Sequence, residues 1–484
     1  MKNIKYLLVI LFLSFATISC EDFNTDLDVI NVEDPNSTQL GTENTASKLF
    51  QNWYTTVNNY ASPSLAMATM SDMHTCSWGN AAMRDMSSEP RIAWNNAASY
   101  SNGPFTDNFF NAMHVVLADS NGILATLAGG ATFSDNNMVS AVAKLGQALA
   151  VGSLAVNFDR VWLSDETGPL NGGQAVPFSE AITFALTKLN EAIAISNNNV
   201  FTVNGAWFNS SSMSNVAFAK LLNSFAARIL VNSVRNSSQR DAIDWAAVKG
   251  YADKAITTDF TVIGDGWRTW YNDWALYSIY PGWGRIDMRV INLMDPSTIS
   301  YWVSTNTVAA QSTSIDARLV TDFEYINGQA FIPSRGIYHY SSYRHARYDN
   351  YLYGGFEGPF PEILAAEITL YKVEAMLRTN NLAGAAALLN SATYARKSRG
   401  NLPDVAANAI DIAKALHYER SIEILTTGSG LAFYEMRREN KLQAGTPLHF
   451  PVPGKQLQAA KLDNYTFGGT TGVAGKDYST GGWR

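Results

Sequence analysis

The chain has 484 residues, of which 46% are hydrophobic and 16% charged, with a formal net charge of −7 and two cysteines. This acidic balance argues against a nucleic-acid partner, which demands a basic face. The length suffices for a large core, and with no Pro/Ser/Gly linker dividing it the body reads as one unit of two interleaved subdomains.

The first predicted element is a leader. Lys2 and Lys5 precede an apolar run over 6–18 that stops at Ser19-Cys20. A positive start, an apolar stretch and a small residue before the break mark an export signal, short for a membrane-spanning helix of roughly 20 residues. Residues 1–19 are thus expected to be a lipoprotein signal peptide and Cys20 the lipidated first residue. The alternative is an ordinary secreted protein cleaved nearby. Removing the leader, with Lys2 and Lys5 and no acidic residue, takes the charge from −7 to −9. Cys76 then has no partner, so no internal disulfide is expected. Residues 20–45 lack periodicity and read as an extended tether, and 46–484 as the globular domain.

Helical periodicity follows in four blocks. Over 215–234, Phe218, Leu221, Leu222, Phe225, Ile229 and Leu230 recur at three- and four-residue steps behind Ser214 or Asn215 as N-cap. With a second helix over 245–257 this makes a hairpin of the tetratricopeptide size. Segments 139–162 with 177–196, 363–377 with 383–399, and 410–427 with 431–442 give three more, Pro361 being placed in a helical first turn. The expected fold is mainly α: four tetratricopeptide-like hairpins supporting a loop-rich irregular subdomain with short strands. The loops are about 71–108 and 259–360, rich in Trp, Tyr, Gly and Asn, and long loops on a rigid support usually carry function.

Several strings resemble one family through most of the chain. They are Cys20-Glu-Asp-Phe23, Gly146-Gln-Ala-Leu-Ala through Phe158-Asp-Arg-Val-Trp162, Ala366-Glu-Ile-Thr-Leu-Tyr-Lys-Val-Glu-Ala375, His417-Tyr-Glu-Arg-Ser-Ile-Glu423, Tyr434-Glu-Met-Arg-Arg438 and His449-Phe-Pro-Val-Pro453. The chain resembles the SusD/RagB outer-membrane nutrient-binding lipoproteins, departing from many members at Leu425-Thr-Thr-Gly-Ser429. The resemblance implies a surface-exposed, lipid-anchored protein of the outer membrane. It also implies a SusC-like TonB-dependent transporter as partner, and a glycan or, in some relatives, a peptide as ligand.

The chemistry of the residues points to binding rather than catalysis. There is no His-Glu-x-x-His, no Gly-x-Ser-x-Gly and no phosphate loop, and the six histidines are scattered singly, so no enzyme activity, metal or cofactor is expected. Gly264-Asp-Gly266 reads as a turn, and Asp165-Glu166 as a solvated turn rather than an acid/base pair. Sugar rings pack their CH-rich faces on Trp and Tyr while Asp, Asn and Arg meet the hydroxyls. Trp78, with Asp72 and Arg84 near it, fits that description, and Trp94 is a further candidate; for both the alternative is a core plug. Trp267, Trp270, Trp274 and Tyr277 would share one face if helical, which favours core for Trp274. Trp283 lies in a turn. Tyr338 and Tyr340 point to one side of a predicted strand, bordering a cleft or packing a sheet. Arg335 and Arg344 grip hydroxyls or form surface ion pairs. The ligand set is thus Asp72, Trp78, Arg84, Trp94, Trp267, Trp270, Trp283, Arg335 and Tyr340. A glycan ligand leads; an oligopeptide, or a scaffold binding proteins in its grooves, are the alternatives.

Overall fold

Helix Glu43–Val57 (α1) starts where Thr42 accepts a hydrogen bond from the Thr45 amide, and it buries Leu49, Phe50, Trp53 and Tyr54 along one stripe. The computed structural model describes residues 42–75, 81–88, 91–300, 309–327 and 340–466. The chain divides into units Met1–Leu40 and Gly41–Arg484, and all described residues belong to the second.

The other long helices follow in chain order: α2 Pro104–Ala128, α3 Asn136–Asn157, α4 Phe178–Asn198, α5 Asn215–Asn232, α6 Trp245–Asp253, α7 Ala365–Arg378, α8 Leu382–Leu389, α9 Ala409–Ile422 and α10 Leu431–Arg438. From α2 to α8 each packs on the next, α1 covers α2 and α3, and α9 packs on α7 and α8. The strands are short antiparallel pairs; the longest joins Phe260–Asp265 (β1) to Glu357–Ile363 (β2). The fold is mainly α, as expected.

Helix α3 is the centre of the main core. It is long and apolar enough to cross a membrane, yet its apolar window is 89% buried by its neighbours, which makes it a core helix. Two glycines permit that packing. A Cβ at Gly146 would lie 2.3 Å from Ser120 Oγ on α2, and one at Gly152 would lie 2.6 Å from Ile229 Cδ1 on α5. The carbonyls closing α3 are taken up by buried guanidinium groups: Arg437 donates to Val156 O at 3.0 Å and Arg235 to Phe158 O at 3.2 Å. Cations at a helix C-terminus also meet the negative end of its dipole.

Several boundaries differ from the sequence expectation. Helix α2 lies partly inside the segment read as loop, and α1 begins within the expected tether. Pro361 sits in β2, where its register shifts against β1, rather than in a helical first turn. The partner of α7 is broken: α8 ends at Leu389, and a short helix, Ala395–Ser398, follows.

Candidate functional site

The sequence Tyr280-Pro-Gly-Trp-Gly-Arg285 ends the short helix Asp273–Ile279 and folds into a tight turn, with Trp283 N donating to Tyr280 O at 3.0 Å. A Cβ at Gly284 would stand 2.6 Å from the carbonyls of both Tyr277 and Ser278, so only glycine fits. Arg285 fastens the turn, its buried guanidinium donating to the carbonyls of Pro281 and of Gly284, the latter at 2.8 Å. The rings of Tyr280 and Trp283 are held 5.0 Å apart, and Tyr277 lies 6.0 Å beyond Trp283. Tyr280 is 42% exposed and Trp283 half-buried, so the turn presents an aromatic ledge.

The ledge adjoins Thr75 and Ala81, the described residues on either side of the segment that contains Trp78. Thr75 pairs with Arg285 in a two-residue strand, and Ala81 packs in the cluster of Trp274, Tyr277 and half-buried Trp283. Arg84 projects exposed from the short helix Met83–Ser87 that follows. Tyr340 reaches the same edge through a bridge to Asp287. The structure therefore gathers Arg84, Trp283, Tyr340 and the flanks of Trp78 in one region. Trp78, Arg335, Tyr338 and Cys20 lie outside the described residues.

Burial takes four candidates out of any exposed platform. Trp94 is 2% exposed and wedged between Tyr100 and Phe450, ring centroids 5.0 and 5.1 Å away. Trp270 is 7% exposed against Phe50 and Tyr54, which makes it core. Tyr340, 1% exposed, packs with Met288 and Ala309 under the edge. Asp72 is buried in an ion pair with Arg91 at 3.3 Å. Arg344 is likewise interior, paired with Asp349 at 2.6 Å and with Glu324.

The 267–277 stretch is not one helix, because helix starts only at Asp273, where Asn272 caps it. Its two faces separate the aromatics. Trp274 and Tyr277 join the ledge side, whereas Ala275 and Ile279 face Tyr351, Phe356 and Phe360. Trp267 stacks on Phe356 at 4.4 Å and is 42% exposed. Both residues follow glycines in left-handed backbone, Trp267 at φ +64° and Phe356 at φ +62°. Such a conformation is strained for bulky side chains. Gly264 and Asp265 are the last residues of β1, paired with Gly358 and Glu357, rather than a turn, and only Gly266, at φ +68°, leaves the strand.

Among the described residues no three His, Cys, Asp or Glu side chains converge as a metal site. Asp165 and Glu166 lie in a hairpin, Ser164–Asp165 against Gly168–Pro169. Burial acts to raise the Glu166 pKa, but Lys144 at 2.8 Å and Gln147 at 3.0 Å outweigh it and hold it down at about 2. A carboxylate so tied stays ionised and cannot donate a proton near neutrality.

No protein-family model matches the chain, and no curated protein does. Solved structures do. A SusD superfamily protein from Parabacteroides distasonis ATCC 8503 superimposes with a TM-score of 0.61 at 13% identity, over 87% of this chain and 98% of the other. This chain has the SusD fold. A SusD-like carbohydrate-binding protein from Bacteroides vulgatus ATCC 8482 shares it at a TM-score of 0.55 and 14% identity, covering 82% of this chain and 83% of that one. A SusD/RagB family protein from Bacteroides thetaiotaomicron VPI-5482 gives 0.50 and 17%, covering 88% and 94%.

Tyr280 escaped the sequence reading. Its signal was the string itself, since a tyrosine entering a Pro-Gly-Trp-Gly turn ends beside the tryptophan that the turn projects.

Proposed function

We propose that this protein is a cell-surface glycan-binding lipoprotein. It captures oligo- or polysaccharide at the Tyr280–Trp283 ledge and delivers it to a SusC-like TonB-dependent transporter, without hydrolysing it. The observation that carries this reading is the ledge: rigid, partly exposed rings set in a pinned turn beside Thr75, Ala81 and the helix that bears Arg84, aromatic faces flanked by polar groups. The SusD fold adds support, since two of the matched structures are described as SusD-like carbohydrate-binding proteins. In this reading Cys20 carries the lipid, and Trp78 and Arg335 belong to the ligand set.

Calorimetric titration against a panel of hexasaccharides and mixed hexapeptides tests the reading. Binding of at least one hexasaccharide, with no new reducing ends over the course of the titration, is the expected result. Binding of peptides alone would replace it with the oligopeptide alternative.

A further inference from the structure

A second concave surface lies in elements the ledge does not use. The strand Arg160–Val161 after α3, the turn at 173–175, and the segment 452–465 after the short strand-like Phe450 bridge enclose an open cleft of about 840 Å³. That size is within the range of small-molecule sites. Its make-up is layered. Val452 and Leu457 are buried and form an apolar floor, Trp162 and Tyr465 are half-buried walls, and Arg160, Gln174 and Asp463 stand exposed at the rim with one apolar side chain, Leu462, among them.

Both walls are fixed in advance. Trp162 meets Phe110 edge-on, centroids 6.0 Å apart at 89°, which anchors the indole to the core. The Tyr465 hydroxyl bonds the Asp159 carboxylate at 2.8 and 2.9 Å and accepts from the Val452 amide at 3.3 Å, which locks the phenol. The Asp159 carboxylate is thus engaged inside, and the rim offers one guanidinium, one carboxamide and one carboxylate. Aromatic walls, an apolar floor and a rim of mixed donors and acceptors without excess charge match a neutral polyhydroxylated ring better than an ion or a hydrophobe.

We propose that this cleft is a second oligosaccharide subsite, so that one chain grips a polymer at two places. The choice of sugar as ligand rests on the function proposed above, but the site does not share a residue with the ledge. Two linked contacts on one polymer raise the overall affinity through effective concentration.

The test uses the full chain labelled with 5-fluorotryptophan, with the Trp162 and Trp283 resonances assigned by their loss in Trp162→Phe and Trp283→Phe. Cello-, xylo-, malto-, manno-, laminari- and chitohexaose are titrated in turn. Trp162 is expected to shift with at least one of them. Arg160→Ala and Gln174→Ala, both at exposed positions, are expected to weaken that response about fivefold each while leaving the Trp283 response unchanged. A shift at Trp283 with none at Trp162 overturns the cleft and keeps the ledge. A shift at Trp162 alone keeps the cleft and overturns the ledge, and no shift with any hexasaccharide overturns both. Failure of the two rim variants to alter the Trp162 response would also sink the proposal, because it would place the sugar elsewhere.

Discussion

At the scale of single residues, exposure and stacking separate aromatics that composition alone could not. Trp94 and Trp283 both stand in Gly/Asn/Ser-rich segments, yet one is a core plug between Tyr100 and Phe450 and the other half of a ledge. The opposite roles give opposite expectations. Trp94→Ala should cost roughly 3–5 kcal/mol of stability, seen as a large drop in melting temperature, with the affinity of the surviving folded protein unchanged. Trp283→Ala should cost at least about 2 kcal/mol of glycan binding, or about thirtyfold in affinity, with a smaller loss of stability. Equal melting losses in the two variants, with equal affinities, would remove the distinction. The sequence singled out Trp283 through its glycine-flanked turn, a local feature. It could not separate Trp94 or Trp270 from platform residues, because their burial depends on Phe450, Phe50 and Tyr54, distant in the chain. Tyr340 shows the same limit: strand alternation placed it on one face, and only its packing with Met288 and Ala309 shows that face to be inward.

At the scale of elements, the helices with strong periodicity were legible and those in mixed composition were not. Helix α5 follows its expected start and ends two residues early, with Ser214 accepting from the Ala217 amide at 3.2 Å as its cap. Helix α2 shows the same three- and four-residue recurrence, through Phe109, Phe110, Met113, Val116, Leu117 and Leu124, yet its first residues fell inside the segment read as loop and the rest of it was assigned no element. Pro361 misled for a physical reason, since its missing amide suits a strand irregularity as well as a helix start. How tightly the helices approach is set by glycines that periodicity does not weigh. Gly152→Val should drive a side chain into Ile229, where the Cβ alone would lie 2.6 Å from a methyl carbon, and should destabilise the fold by about 1–3 kcal/mol or more. Pairing it with Ile229→Ala should recover part of that loss in chemical denaturation. No recovery in the double variant would show that the strain falls elsewhere.

At the scale of the whole molecule, the fold depends on charges and histidines sealed inside it, which makes its stability a function of pH. Glu374 on α7 is buried among Arg420, Arg438 and Arg378. Burial acts to raise its pKa, and the surrounding arginines outweigh this and bring it from 4.5 to about 2. His74 and His345 share the hydroxyl of Thr426, at 3.4 and 3.0 Å, in an interior where burial lowers His74 from 6.5 to about 3 and drives His345 well below its ordinary value. For each of these groups the folded state binds its proton less readily than the unfolded chain. Their contribution is therefore complete above the unfolded pKa and is lost as pH falls. The histidines act first, from about pH 6.5 downward, each by up to about 1.4 kcal/mol per pH unit, and Glu374 adds to the slope below about pH 4.5. Urea denaturation between pH 7.5 and 4 should show constant stability above pH 7 and a progressive fall beneath 6.5. His74→Phe, which keeps a ring against Trp274 but cannot take up a proton, should flatten the upper part of that fall by one histidine's share. An unchanged slope in the variant would mean that His74 is not among the groups that titrate on unfolding, and a profile level from pH 7 to 5 would exclude buried neutral histidines as a source of acid sensitivity.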